Sequence, residues 1–113
     1  MMTKIYHNPR CSKSRAALEL LIERGLNPDV VLYLENPLTL TQLQALVAKS
    51  NLTLLDLVRR NEALYTELAL EKATEAELYA AVVGHPILLN RPLVETAKGV
   101  RLGRPLEALE SIL

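Results

Sequence analysis

The chain's one cysteine, Cys11, stands in His7-Asn8-Pro9-Arg10-Cys11-Ser12-Lys13-Ser14-Arg15, a turn signal running into a helical pattern. Thiolate is the reactive form of cysteine, and a helix N-terminus favours it through unpaired backbone N–H groups and the positive end of the helix dipole. Arg10, Lys13, Arg15 and His7 lie within a few residues, and each positive group near the sulfur lowers its pKa further. A lone cysteine is more commonly a small buried hydrophobe, but this polar, basic setting is unlike a core. Ser14 occupies the place of the resolving cysteine in a Cys-x-x-Cys pair, so a redox cycle through Cys11 needs an external thiol. Ala17 stands where the Cys-x5-Arg loop of a thiol phosphatase requires arginine, which argues against that chemistry.

The same helix start suits an oxyanion, with the N–H groups and hydroxyls of Ser12 and Ser14 expected to point outward. Three arginines extend this reading: Arg59 in LVRRN, Arg91 in NRP and Arg104 in GRP. The guanidinium fork grips two oxygens of a tetrahedral anion at once. Arg91 and Arg104 each precede a proline, which biases them to extended backbone, and a proline entering such a strand is a common place for a cis bond. Singly, each arginine reads as a surface ion-pair residue; with Cys11, on a fold that gathers their loops at one end, they form an anion cage.

The elements that must gather them are legible from periodicity. Thr3 to His7 reads as a strand, and Ser12 onward as a helix with Ala17, Leu18, Leu21 and Ile22 on one face, closed by Gly25. Val30 to Leu34 is a continuous apolar run, expected of a strand covered on both faces, so the start is a βαβ unit with two parallel strands. Thr39 with Gln42 and Thr74 with Glu77 have capping-box spacing ahead of helices, and Leu54, Leu57 and Val58 recur at helical spacing. Ile87-Leu88-Leu89 and Leu93-Val94-Glu95 flank Asn90-Arg91-Pro92, and Ala97-Lys98-Gly99 turns into Val100-Arg101-Leu102. Pro105 opens a last helix with Leu106, Leu109 and Leu113 inward. This order predicts an α/β chain with a small mixed sheet, a thioredoxin-like fold carrying a helical insertion, in one domain spanning 1–113.

Bulk properties narrow the function classes. With 113 residues, 50% hydrophobic and 23% charged, the chain can bury a core without staples. Zero net charge offers no broad basic surface for nucleic acid. One cysteine and the distant histidines His7 and His85 make no metal site, and no apolar stretch approaches the roughly 20 residues of a bilayer span. The start lacks a signal-peptide pattern, so a cytoplasmic setting is expected.

The segments IYHNPRCSKSR, VVLYLENP, LVRRN, HPILLNRPLV and VRLGRP together resemble the ArsC family, the arsenate reductases that use glutathione and glutaredoxin, in family order from Thr3 to Ile112. The resemblance implies that Cys11 attacks arsenate to form a covalent adduct, that glutathione attacks the adduct, and that glutaredoxin resolves the mixed disulfide as arsenite leaves. It further implies that Arg59, Arg91 and Arg104 bind the oxyanion, that His7 supports the thiolate, and that Pro92 is cis. No bound cofactor is implied; glutathione is a co-substrate, and a monomer is expected. Two features depart from the well-known members: Arg10 replaces a small residue before Cys11, and the chain stops at Leu113 without the C-terminal extension of longer members.

Two other readings stand beside this one. The first is a related thiol oxidoreductase of other substrate, deglutathionylation included. The second is a non-catalytic regulator similar to the polymerase-binding Spx proteins, which generally carry the Cys-x-x-Cys that this chain lacks. Among remaining residues, Glu35-Asn36-Pro37 either lines the cleft or ends a strand. Arg60 reads as solvated, Arg101 as a partner of Glu95, Tyr6 and Tyr33 as core, and His85 as a helix end.

Overall fold

The computed structural model describes residues 2–113. Strand β1 (Lys4–Tyr6) leads through a turn into helix α1 (Ser12–Glu23), which returns to strand β2 (Asp29–Val31), parallel to β1. Strands β3 (Leu93–Thr96) and β4 (Gly99–Leu102) form a hairpin antiparallel to β1, and the sheet order is β2-β1-β3-β4. Between the two halves run helices α2 (Leu40–Ser50), α3 (Ala63–Glu67) and α4 (Glu75–Gly84), joined by short 3-10 turns. This is the thioredoxin-like arrangement with a helical insertion, in the order that the periodicity predicts.

The two faces of the sheet carry separate cores because strand side chains alternate. Tyr6, Leu93 and Val100 point toward the insertion, where they meet Leu43, Leu46, Leu57, Leu78 and Val82. Ile5 and Val94 point the other way, against Ala17 and Leu21 of α1 and Leu109 and Ile112 near the C-terminus. Each fully buried leucine contributes about 1.5–3 kcal/mol of transfer free energy. Both capping boxes close as the spacing predicts: Thr39 and Thr74 each accept from the backbone N–H three residues on, and Gln42 and Glu77 accept in return.

Several local expectations are corrected. The run Val30 to Leu34 is not a strand covered on both faces: β2 is three residues long, lies at the sheet edge, and leaves Val30 and Leu34 exposed, with only Tyr33 buried. An edge strand has a neighbour on one side only, so hydrophobicity alone overstated its burial. Ile22 is exposed because it sits a further 100° around α1 from Leu21, past the stripe that meets the sheet. Leu54 and Leu57 lie on a 3-10 turn, and Ile87-Leu88-Leu89 is mostly another, with one antiparallel bridge from Leu89 to Val58. The last helix, Leu106–Ile112, is also 3-10; three residues per turn puts Leu109 and Ile112 inward and leaves Leu113 half-buried.

Arg101 does not pair with Glu95. Cross-strand register sets it opposite Val94, on the other face from Glu95, and it donates to the carbonyls of Val100 and Ser50. Glu95 instead binds Lys49 of α2 at 2.9 Å. No helix among the described residues is long and apolar enough to cross a membrane, and none of their His, Cys, Asp and Glu side chains cluster to hold a metal ion.

Candidate active site

Cys11 is the N-cap residue of α1, in extended backbone conformation, with its thiol partly exposed. The turn before it is stitched by Asn8, whose carbonyl accepts from Cys11 N–H at 3.0 Å and whose Oδ1 accepts from Arg10 N–H at 3.0 Å. Arg15 folds back to donate to the Pro9 carbonyl at 2.9 Å. The sulfur closes no capping hydrogen bond, yet the first-turn N–H groups are directed at it.

Its acidity has identifiable causes. Burial raises the thiol pKa, but the backbone N–H groups of Ser14 and Lys13, followed by the charge and hydrogen-bonding capacity of Arg91, outweigh that penalty and leave it below the ordinary value. The basic side chains adjacent in sequence are not the source. Arg10, Lys13 and Arg15 are exposed at the surface, and the cation that acts on the sulfur comes from the start of β3, 80 residues on.

His7 and Ser14 are both buried, and their side chains meet at 2.7 Å between His7 Nδ1 and Ser14 Oγ. Ser14 Oγ also accepts from Asn8 N–H at 3.0 Å. The hydroxyl expected to point outward therefore points inward, because it joins the end of β1 to the first turn of α1; only the Ser14 backbone N–H faces the thiol. Ser12, by contrast, is exposed. Burial, then the positive charge of Arg15, holds the His7 pKa below its ordinary value, so His7 is neutral near pH 7 and adds no positive charge to the site.

The three arginines line one cleft of about 300 Å³ together with Asp56, Arg60 and Asn90. Two segments that are distant in sequence are tied together to build it: Arg59 N–H donates to the Leu88 carbonyl at 2.8 Å and Asn90 N–H to the Leu57 carbonyl at 2.7 Å. Arg59 and Arg91 are half-buried, and the Nε of each is buried without a hydrogen-bond partner. Arg59 also lies 3.6 Å from Glu62. Arg104 is exposed at the rim, where Gly103 N–H donates to the Pro92 carbonyl at 2.8 Å. Both Arg91-Pro92 and Arg104-Pro105 are cis.

Tyr33 lies in the core, as expected, and is 1% exposed. Its hydroxyl, however, is buried without a partner, and the charges acting on it are those of Arg91, Arg59 and Cys11. The available signal was a tyrosine in an otherwise aliphatic run, since a buried phenol calls for a polar partner. Glu35 is exposed, in a turn whose N–H groups return to the Leu32 carbonyl.

A single N-capping thiol beside an arginine-lined cleft, at the end of a thioredoxin-like sheet, defines a thiol protein with no internal resolving cysteine. The chain belongs to the ArsC family, whose profile matches residues 6–112. An arsenate reductase of Neisseria meningitidis is 44% identical over 113 residues, covering 97% of each chain. An arsenate reductase of Escherichia coli is 42% identical over 111 residues, covering 96% of this chain and 79% of that one. The solved arsenate reductase from Vibrio cholerae is 40% identical and superposes with a TM-score of 0.96, covering all of this chain and 98% of the other.

Proposed function

We propose that this chain is an arsenate reductase, a single-thiol oxidoreductase of the cytoplasm that acts as a monomer and draws its electrons from glutathione and glutaredoxin. The observation that carries the reading is that Arg91, whose charge acts on the Cys11 sulfur, lines one cleft with Arg59 and Arg104. The naming of its relatives as arsenate reductases supports the substrate.

In this mechanism arsenate binds against Arg59, Arg91 and Arg104 and the N–H groups of Ser12 and Ser14, with charge-assisted hydrogen bonds replacing its hydration. The Cys11 thiolate attacks arsenic, a sulfur–arsenic bond forms, and one oxygen leaves as water after protonation. The thiolate of glutathione then attacks the adduct. A sulfur–sulfur bond forms, the sulfur–arsenic electron pair stays on arsenic, and As(V) becomes As(III), released as arsenite. Glutaredoxin takes the glutathionyl group from Cys11 by thiol–disulfide exchange and restores the thiolate. His7 acts through Ser14, holding the first turn of α1 so that its N–H groups face the sulfur.

The test is NADPH consumption by the purified chain with arsenate, glutathione, glutaredoxin and glutathione reductase, alongside Cys11→Ser. Arsenate-dependent turnover that vanishes in the variant is the expected result; full turnover in Cys11→Ser would sink the mechanism.

A further inference from the structure

Resting on the arsenate reading, the geometry points to Tyr33 as a further substrate-binding residue, whose buried hydroxyl donates a hydrogen bond to the same oxyanion that Arg59 and Arg91 hold. Three polar side-chain atoms are buried without a hydrogen-bond partner among the described residues: Tyr33 Oη, Arg59 Nε and Arg91 Nε. They share one neighbourhood, since both arginines and Cys11 act on the Tyr33 hydroxyl.

All three can donate, and the two arginine groups can only donate. Leaving such groups unmade in a protein interior is unfavourable, so their coincidence calls for an acceptor with several oxygens. The Asn8 side chain approaches the phenol without closing a hydrogen bond, and no carboxylate stands among the groups that act on it. A tetrahedral oxyanion presents enough lone pairs for all three donors.

The placement of the ring supports the same assignment. Leu38, Leu43, Val82 and Leu89 close around it on the insertion side. Leu89 also forms the bridge to Val58, the neighbour of Arg59, and Arg59 and Arg91 line one cleft. The ring is thus held by packing against a residue of that bridge before any anion arrives, and ordering donors in advance spares the cost of arranging them when the anion binds.

The test compares the native chain with Tyr33→Phe, which keeps the ring and removes only the hydroxyl. Arsenate is titrated, without glutathione, as a protectant of Cys11 against iodoacetamide. In the expected result the native chain is protected, and Tyr33→Phe needs about tenfold more arsenate for the same protection, the scale of one hydrogen bond to a charged group. Unprotected alkylation should proceed at the native rate in the variant, which shows that the fold and thiol are intact. Equal protection of both proteins overturns the role of Tyr33 and leaves the arsenate reading standing. No protection of the native chain overturns both. A thermal melt supplies the second measurement: with no anion present, removing an unpartnered hydroxyl should leave the melting temperature unchanged or raised, and a marked drop would show that the phenol is structural.

Discussion

The Ser14 hydroxyl lies 2.7 Å from Nδ1 of His7 and accepts the Asn8 N–H as well, so one buried oxygen joins the end of β1 to the turn that presents Cys11. Ser14→Ala should leave the partly buried Asn8 N–H and the buried His7 Nδ1 without their partner and cost about 1–3 kcal/mol of stability. Urea unfolding of the variant measures it directly, and an unchanged midpoint would show that the loop does not depend on this bond.

Arg91→Ala should raise the pKa of Cys11 toward that of a free thiol, whereas Arg10→Ala should leave it close to native. The difference follows from which cation acts on the sulfur in the folded chain. The pH profile of iodoacetamide alkylation reports both, and equal shifts in the two variants would return the credit to the residues adjacent in sequence.

The pH dependence of stability follows from His7, whose folded pKa is depressed below 6.5 first by burial and then by Arg15. Between that lowered value and 6.5 the unfolded chain binds a proton that the folded chain does not, so stability rises with pH across the window. The contribution is complete above the unfolded value and is lost as pH falls through the folded one. Urea midpoints measured on acidification should therefore drop, and His7→Gln should flatten the dependence in that window.

Arg59→Ala, Arg91→Ala and Arg104→Ala should each reduce kcat/KM for arsenate about 10- to 100-fold, the scale of a hydrogen bond to a charged group. The fold should survive each change, because none of the three side chains fills a core. Loss of folding in all three would mark them as structural ion pairs instead, with the 3.6 Å contact of Arg59 and Glu62 as the one such pair these arginines make among the described residues.

Gly103→Ala should disturb the cleft from behind. A Cβ there would meet Pro92 Cγ at 3.0 Å and Leu109 Cδ1 at 3.2 Å. Overpacking of this kind costs about 1–3 kcal/mol. The shift would be passed to Arg91 through Pro92, so activity should fall along with the melting temperature. A variant with native activity would show that Pro92 can yield without moving Arg91.

Local physics made much of this chain legible before folding was considered. The capping boxes at Thr39 and Thr74, the parallel βαβ start and the hairpin after Glu95 depend on spacings of a few residues, and all of them form. Cys11 at the start of α1 is likewise a local statement, since the turn residues Asn8 and Pro9 precede a helical pattern. Tertiary contacts decided the rest. They placed β2 at an edge and so exposed Val30, turned Ser14 inward to His7, and set Arg101 on the face away from Glu95. They also brought Arg91 rather than Arg10 to bear on the sulfur and left the Tyr33 hydroxyl buried without a hydrogen-bond partner. The division has a physical cause: caps and turns are settled by neighbours along the chain, whereas burial, register and the field at a thiol depend on segments that only the packed sheet brings within a few ångströms.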